Sequence, residues 1–348
     1  METVRVNLGA NSYNIQIGAG LLANISDYIG QADKLIVVTD RNVNRLYGRA
    51  LINALSGAPH CQYVMKPGET SKNMGTVTRV LARMLDNRLT RSSAVLGFGG
   101  GVVGDVAGFC ASVYMRGIPY IQIPTTLLAQ VDSSVGGKTG VNLPQAKNCI
   151  GTFSQPKAVI IDTDMLKSLA GREMLSGIGE IIKYGIVADY DFFRAVKDNL
   201  PALLRRESAV LRPLIRRCCE IKAKVVAKDE KDTGLRRILN CGHTVGHALE
   251  AVTAYSRYTH GEAVLVGLYY ETGIACRRGL VTPEYAQEIM DCIQNTGVSV
   301  DIGRYSRESL LTAMAHDKKN KQGKIAFILP VGPGKAAEFL LTAADINW

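Results

Sequence analysis

The sequence predicts an α/β domain built on a parallel sheet, followed by a mostly α-helical domain. Two observations predict that order. In the first half, short apolar runs bounded by Gly, Pro or Asp alternate with stretches in which apolar residues recur every three or four positions. From Asp164 to about Val298 helical periodicity continues almost without strand signals. Strands separated by helices imply a parallel sheet covered on both faces. The two domains are predicted as residues 1–163 and 164–348, with the cleft between them as the expected site.

Taken in order, Val4–Leu8 and Asn14–Ile17 read as an edge hairpin. Extended runs follow at Lys34–Thr39, Cys61–Met65, Ser93–Phe98, Tyr120–Ile123 and Ala158–Ile161, with helices at Asn42–Leu55 and Asn73–Leu89. The second half predicts helices at Glu173–Val187, Ser208–Lys228, Thr244–Thr253, Ala263–Arg277 and Pro283–Asn295. One late extended run, Lys324–Leu329, is bounded by Pro330 and Gly332 and is expected to return to the interdomain region. No internal repeat or low-complexity tract interrupts the chain.

Composition narrows the function classes. Of 348 residues, 47% are hydrophobic and 21% charged, ordinary globular usage that excludes disordered and fibrous classes. No uninterrupted apolar window of ~18 residues is present, and Met1–Asn14 lacks a basic segment followed by an apolar one. Neither a membrane span nor a secretory signal is expected, which places the protein in the cytoplasm. The eight cysteines form no C-x-x-C pair and lie mostly in apolar segments, as reduced buried thiols do. The net charge of +10 is spread along the chain, denser at Arg205–Arg217 and Lys318–Lys324, without aromatic interleaving or a nucleic-acid motif. It points to an anionic small substrate rather than nucleic acid.

The segment Gly97-Phe-Gly-Gly-Gly-Val-Val-Gly-Asp105 contains G-x-G-x-x-G at Gly99, Gly101 and Gly104, between a predicted strand and a predicted helix. Bare backbone at such a Rossmann-like turn lets N–H groups approach pyrophosphate at a helix N-terminus. The turn follows a later strand than the standard fingerprint, and no acid stands ~20 residues on. Asp40, Glu69 and Lys72 fall at the same carboxyl edge and read equally as loop caps or ligand contacts. Gly136-Gly-Lys138-Thr139 fails as a P-loop, because position 132 is Asp where Gly is needed. Asp132, Lys138 and the following Lys147-Asn148 remain as polar groups near flexible backbone, suited to an oxyanion.

His243-Thr-Val-Gly-His247 places two imidazoles one helical turn apart, and His260-Gly-Glu262 follows at the start of the next helix. Zinc favours His nitrogen plus carboxylate with an open position. Thr244 occupies the glutamate slot of H-E-x-x-H, which disfavours zincin-type hydrolysis. By spacing alone the histidines read either as metal ligands or as satisfied helix-packing residues. Glu180, on another helix with Lys183 three residues on, is a candidate to complete the set. His60 and His316 have no partner in the pattern and read as loop and surface residues.

With these residues in view, the chain resembles the 3-dehydroquinate synthase family over nearly its whole length. The specific stretches are Gly99–Asp105, Pro124-Thr-Thr-Leu-Leu-Ala-Gln-Val-Asp-Ser-Ser-Val-Gly-Gly-Lys-Thr-Gly-Val-Asn142, Glu180-Ile-Ile-Lys-Tyr-Gly185, Asn240-Cys-Gly-His-Thr-Val-Gly-His247 and His260-Gly-Glu262. The resemblance implies a homodimeric two-domain enzyme, with an NAD-binding N-terminal domain and a helical metal- and substrate-binding domain. It implies tightly held NAD and a divalent metal, Zn2+ or Co2+, turning 3-deoxy-D-arabino-heptulosonate 7-phosphate into 3-dehydroquinate and phosphate. By resemblance the metal ligands are Glu180, His243 and His260. The NAD set is Asp40, Asn42, Glu69, Lys72, Gly100, Gly101, Val102, Asp105, Thr125 and Thr126, with Lys138 and Lys147 shared with substrate. The substrate set is Asp132, Lys138, Lys147, Asn148, Lys183, Lys222, Arg236, Asn240, His247 and Lys318 (preferred over Lys319). Lys138, Lys183, Lys222, Arg236, Asn240 and His247 are the catalytic set, and Arg116 matches an arginine offered to the neighbouring subunit's substrate phosphate. Leu143-Pro144 and Ala170 depart from the family's usual His-Pro and Pro, away from the assigned metal and NAD residues.

Three rival readings exist. Other sugar-phosphate cyclases, such as 2-deoxy-scyllo-inosose synthase and valiolone-type synthases, take substrates lacking the carboxylate for which Arg236, Asn240 and Lys222 are kept. A polyol dehydrogenase of the glycerol dehydrogenase type would release NADH stoichiometrically. A basic non-catalytic binding protein would show a steep salt dependence on DNA and no bound metal.

Overall fold

The structure, a computed structural model, describes residues 1–55, 57–315 and 323–346. The chain forms two compact units: Met1–Leu169 with Cys218–Lys231, and Ala170–Arg217 with Asp232–Trp348. The division differs from the predicted one. Residues 164–169 and Cys218–Lys231 group with the first unit, the latter because Cys219 and Lys222 face Gln130 and Asp132 there.

The first unit carries strands β1 (Glu2–Val6), β2 (Tyr13–Gly18), β3 (Leu35–Asp40), β4 (His60–Met65), β5 (Ala94–Gly99), β6 (Tyr120–Pro124), β7 (Lys138–Leu143), β8 (Ala146–Phe153) and β9 (Ala158–Asp162). Seven of them form one sheet in the order β1-β2-β9-β6-β5-β3-β4. Only the β1–β2 hairpin is antiparallel; the other neighbours are parallel, with Leu35 opposite His60 on β4 and Ala94 on β5. Continuous apolar runs follow from burial on both faces. Ile36 and Val38 of β3 enter one core cluster, while Leu35 and Val37 enter the other. Helices α1 (Met74–Asp86) and α2 (Gly101–Val113) contribute Val77, Val80, Val103 and Val106 to the first of these clusters.

The stretch expected as one helix over Asn42–Leu55 is an unbroken helical run from Arg41 to Ala54, widened to π-helical geometry at Asn44–Gly48. One element of this unit differs from prediction. The antiparallel β7–β8 hairpin arises from a segment that reads as a glycine-rich loop. Its strands approach where Gly140 faces Gly151: a Cβ on Gly140 would lie 2.4 Å from the Ile150 carbonyl oxygen.

The second unit is chiefly helical. It includes α3 (Gly171–Ala188), the first half of α4 (Ser208–Lys228), α5 (His243–Val252), α6 (His260–Arg277) and α7 (Pro283–Gln294). The late extended run becomes β10 (Ile325–Gly332), paired antiparallel with an unpredicted β11 (Lys335–Leu341). Among the described residues, no helix is long and apolar enough to cross a membrane. All eight cysteines are unpaired, and burial pushes the Cys110, Cys219 and Cys292 thiols up to about 12.

Candidate active site

In the first unit the predicted residues gather at the carboxyl edge of the parallel sheet. β3, β5 and β6 end at Asp40, Gly99 and Pro124, and α2 starts immediately after Gly100. Gly101, with no side chain, leaves the backbone of the first turn open at close range; a Cβ there would sit 2.9 Å from Ser133 Oγ, which would have to turn aside. Thr125 N–H donates to the Gly99 carbonyl at 3.0 Å, and Thr126 Oγ1 accepts from Ala129 N at 3.2 Å, fixing the neighbouring loop. Asp40 caps the helix after β3, accepting from Asn42 N at 2.8 Å and Val43 N at 3.1 Å. Its loop-capping reading is therefore realised.

Lys72 is buried, paired with Asp105 at 2.5 Å and donating to Asn148 Oδ1 at 2.5 Å. Burial pulls the Lys72 ammonium down, but Asp105 and Glu69 more than offset it and leave it above its ordinary value. For Asp105 burial prevails: its carboxyl lies above the usual range despite Lys72. Glu69 joins through Asn142, which donates to its Oε1 at 2.8 Å. A second pair, Lys222 with Asp132, is closed by bonds of 2.6 Å to the carboxylate and 2.7 Å to the Asp132 carbonyl. Lys138 and Arg116 are exposed and Lys147 half-buried. Arg116 follows Met115 in a turn where both have positive φ, 69° and 48°, a strained conformation for side chains with a Cβ.

In the second unit three helices meet through glycines. A Cβ on Gly261 would lie 1.8 Å from the Ser176 carbonyl oxygen, and one on Gly267 1.9 Å from that of Gly242. These contacts press α6 against α3 and α5. The N-terminus of α6 is held by Thr259 and Glu262 capping each other, with Arg172 bonded to both Glu262 oxygens at 3.0 and 2.6 Å. That of α5 is capped from α6 by the buried Glu271, which accepts from Gly242 N at 2.5 Å and Val245 N at 3.2 Å.

The result is a cluster of Glu180, His243 and His260 from α3, α5 and α6, their ligand atoms mutually within 4.8 Å. Glu180 Oε1 lies 3.7 Å from His243 Nε2 and 3.6 Å from His260 Nε2. Glu180 is fully buried; the Lys183 ammonium lies against it, yet neither oxygen accepts a hydrogen bond of proper geometry. Each imidazole turns its other nitrogen to an acceptor, His243 Nδ1 to the Cys241 carbonyl at 3.1 Å and His260 Nδ1 to Glu250 Oε2 at 3.4 Å. The Cys241 carbonyl only accepts, so His243 Nδ1 carries the proton and its Nε2 lone pair faces Glu180; His260 turns Nδ1 to the Glu250 carboxylate and Nε2 to Glu180. Burial, with Lys183 beside it, drives His243 well below its ordinary pKa and keeps it neutral. At His260 burial acts downward too, but Glu250 and Glu180 more than offset it. A buried carboxylate whose oxygens accept no hydrogen bond of proper geometry, facing the Nε2 atoms of two imidazoles, is a donor set suited to a divalent metal.

His247 is exposed, its ring centre 5.2 Å from that of His243 and 5.9 Å from that of His260. Arg236 is buried, and Asn240 Nδ2 donates to the Arg237 carbonyl at 3.0 Å. Lys318, with His316 and Lys319, lies outside the described residues. Sequence reasoning missed Asn142, Glu250 and Glu271. Glu250 had a signal, lying seven residues after His243 on one helix stripe; Glu271, acting across from another helix, had none.

Comparison with solved structures defines the class. 2-Epi-5-epi-valiolone synthase from Streptomyces hygroscopicus subsp. jinggangensis 5008, with NAD+ and Zn2+ bound, matches with TM-score 0.89 and 29% identity over 96% of this chain and 94% of that one. 2-Deoxy-scyllo-inosose synthase complexed with carbaglucose-6-phosphate, NAD+ and Co2+ gives 0.92 and 27%, over 99% and 98%. A glycerol dehydrogenase from Sinorhizobium meliloti 1021, described as probable, shares the fold alone, at 0.65 and 15% over 88% of this chain and 90% of that one. The fold is thus that of the sugar-phosphate cyclase class.

Within it, residues 62–176 match the family 3-dehydroquinate synthase N-terminal and residues 177–320 its C-terminal counterpart. The chain is 52% identical to the 3-dehydroquinate synthase of Alkaliphilus metalliredigens, over 99% of this chain and 97% of that protein. For that of Caldanaerobacter subterraneus subsp. tengcongensis the identity is 46%, over 96% of each. The chain belongs to the 3-dehydroquinate synthase family.

Proposed function

We propose that this chain converts 3-deoxy-D-arabino-heptulosonate 7-phosphate to 3-dehydroquinate and phosphate, within aromatic amino acid biosynthesis. The sequence of bond changes is alcohol oxidation, phosphate elimination, ketone reduction, ring opening and aldol closure. The observation that carries the reading is the buried Glu180 carboxylate facing the Nε2 atoms of two imidazoles in a chain of this family. When bound, NAD supplies a hydride acceptor that is regenerated each turnover, and a divalent Zn2+ or Co2+ supplies a Lewis acid that lowers a hydroxyl pKa.

Glu180, His243 and His260 are the residues that would hold the metal. The bare turn at Gly100–Val102, with Asp40, Asn42, Glu69, Lys72, Asp105, Thr125 and Thr126, would receive NAD in the first unit, the NAD-binding domain. There Asp132 holds the Lys222 ammonium in place, and Lys138, Lys147 and Asn148 add donors for an anion. In the second unit, the metal- and substrate-binding domain, Lys183, Arg236 and Asn240 supply donors suited to an anionic substrate. Lys318 is assigned with them from the sequence. Arg116, exposed in its strained turn, supports a homodimer in which it reaches the partner's substrate phosphate; the biosynthetic role supports a cytoplasmic location.

Phosphate release from the heptulosonate phosphate, with NAD far below stoichiometric, tests the function. Release that exceeds the NAD added, stops with chelator and returns with zinc or cobalt is expected. No release from a folded, metal-loaded protein would exclude this substrate; sedoheptulose 7-phosphate and glucose 6-phosphate would then distinguish the other cyclases.

His247, beside the cluster and open to solvent, is assigned to moving protons during turnover. His247→Ala is expected to lower kcat by about 10²–10⁴-fold, the range for losing a general acid–base group, with zinc content unchanged. Loss of zinc in parallel with activity would make His247 a ligand instead.

A further inference from the structure

Seven residues separate His243 from Glu250, two turns of α5, so both lie on the stripe that faces α6. Glu250 is buried, and its Oε2 approaches His260 Nδ1 at 3.4 Å from the side of the ring opposite Glu180. His260 Nε2, across the same ring, stands 3.6 Å from Glu180 Oε1. His260 lies at the first position of α6, its ring centre 5.2 Å from that of His243, and Gly261 beside it has no side chain to restrain it. His243 has a backbone carbonyl in the equivalent role, supplied by its own chain two residues earlier. His260 has none, and a carboxylate from the neighbouring helix takes that place.

We propose that Glu250 is a positioning residue for the metal centre: by accepting the Nδ1–H of His260 it selects the tautomer and ring angle that aim Nε2 at Glu180. An imidazole bound through Nε2 becomes a stronger Nδ1–H donor, so its bond to a carboxylate strengthens on loading and raises metal affinity. His247, whose ring is tilted 33° to that of His260 and whose ligand atom also lies within 4.8 Å of Glu250, borders the same carboxylate. Glu250 thereby joins the ligand-bearing face of α6 to the proton-handling residue of α5. The inference rests on Glu180, His243 and His260 being the metal ligands.

Zinc affinity of the full chain, measured by competition with a chromophoric chelator, tests it, alongside chemical unfolding of the metal-free protein. Glu250→Ala is expected to weaken zinc binding about 10–100-fold. Glu250→Gln, whose amide oxygen still accepts from Nδ1–H, is expected to recover most of that loss. The visible bands of the cobalt-loaded protein should shift in the alanine variant and lie near the parent's in the glutamine one. An alanine variant that binds zinc within about threefold of the parent would overturn the proposal. So would alanine and glutamine variants with equal zinc loss and equally lowered metal-free unfolding midpoints, which would make Glu250 a packing residue only. His260→Ala separates the two levels: if it keeps parental zinc affinity, the ligand assignment itself fails, whereas loss there with none in Glu250→Ala refutes only the positioning role.

Discussion

Glu180→Gln is expected to abolish turnover, lowering kcat by roughly 10³-fold or more, and to strip the protein of tightly bound zinc. The side chain keeps its volume, so the fully buried site on α3 stays filled. What disappears is the negative charge facing His243 and His260 at 3.7 and 3.6 Å. A divalent cation held by two neutral imidazoles and an amide lacks the anionic ligand that offsets its dehydration, and the several kcal/mol of charge stabilisation it would provide is lost. The Lys183 ammonium would also lose its buried counter-charge, which adds to the effect on any anion bound beside it. The check pairs metal content of the purified variant with its phosphate release. A variant that holds zinc stoichiometrically and turns over near the parental rate would remove Glu180 from the metal set.

Gly261→Ala is expected to destabilise the protein by about 3 kcal/mol or more, among the larger single-residue effects. The added methyl would stand 1.8 Å from the Ser176 carbonyl oxygen and 2.5 Å from its carbon, both backbone atoms of α3 that cannot rotate away. Either α6 moves off α3 or the capped first turn of α6 comes apart. Both routes separate His260 from Glu180, so zinc affinity should fall with stability. Gly171→Ala is the matched control, since a Cβ there meets nothing within 4 Å at the start of the same helix α3. It is expected to leave stability within about 0.5 kcal/mol of the parent or slightly raise it. Denaturant unfolding of both variants reads the difference; equal midpoints would show that the close approach of α3 and α6 is not a constraint.

Much of the first unit was legible in the chain, because its strands are buried on both faces and bounded by turn residues. Each expected central run lies within about one residue of its strand, as Lys34–Thr39 does against Leu35–Asp40. The helix Ser208–Lys228 matches its predicted bounds. The β7–β8 hairpin was not legible, since Lys138-Thr-Gly-Val-Asn-Leu143 carries no alternation strong enough to separate it from a loop. Nor was the membership of Cys218–Lys231 in the first unit, because helical periodicity does not say which core a helix face meets.

The site divides in the same way. Local spacing determined that His243 and His247 share a helix face, that His260 opens the next helix, and that glycines precede Asp105 at a helix start. Which of the three imidazoles meet a carboxylate, and which carboxylate, was decided only by the crossing of α3, α5 and α6. Those crossings depend on glycines at 261 and 267 whose partners, Ser176 and Gly242, are 85 and 25 residues away in sequence. The same holds for Glu271, which caps a helix it does not belong to, and for the pairing of Lys222 with Asp132. Spacing along one helix is a local property with a fixed period, whereas an approach between helices depends on which side chains are small enough to admit it on both partners at once.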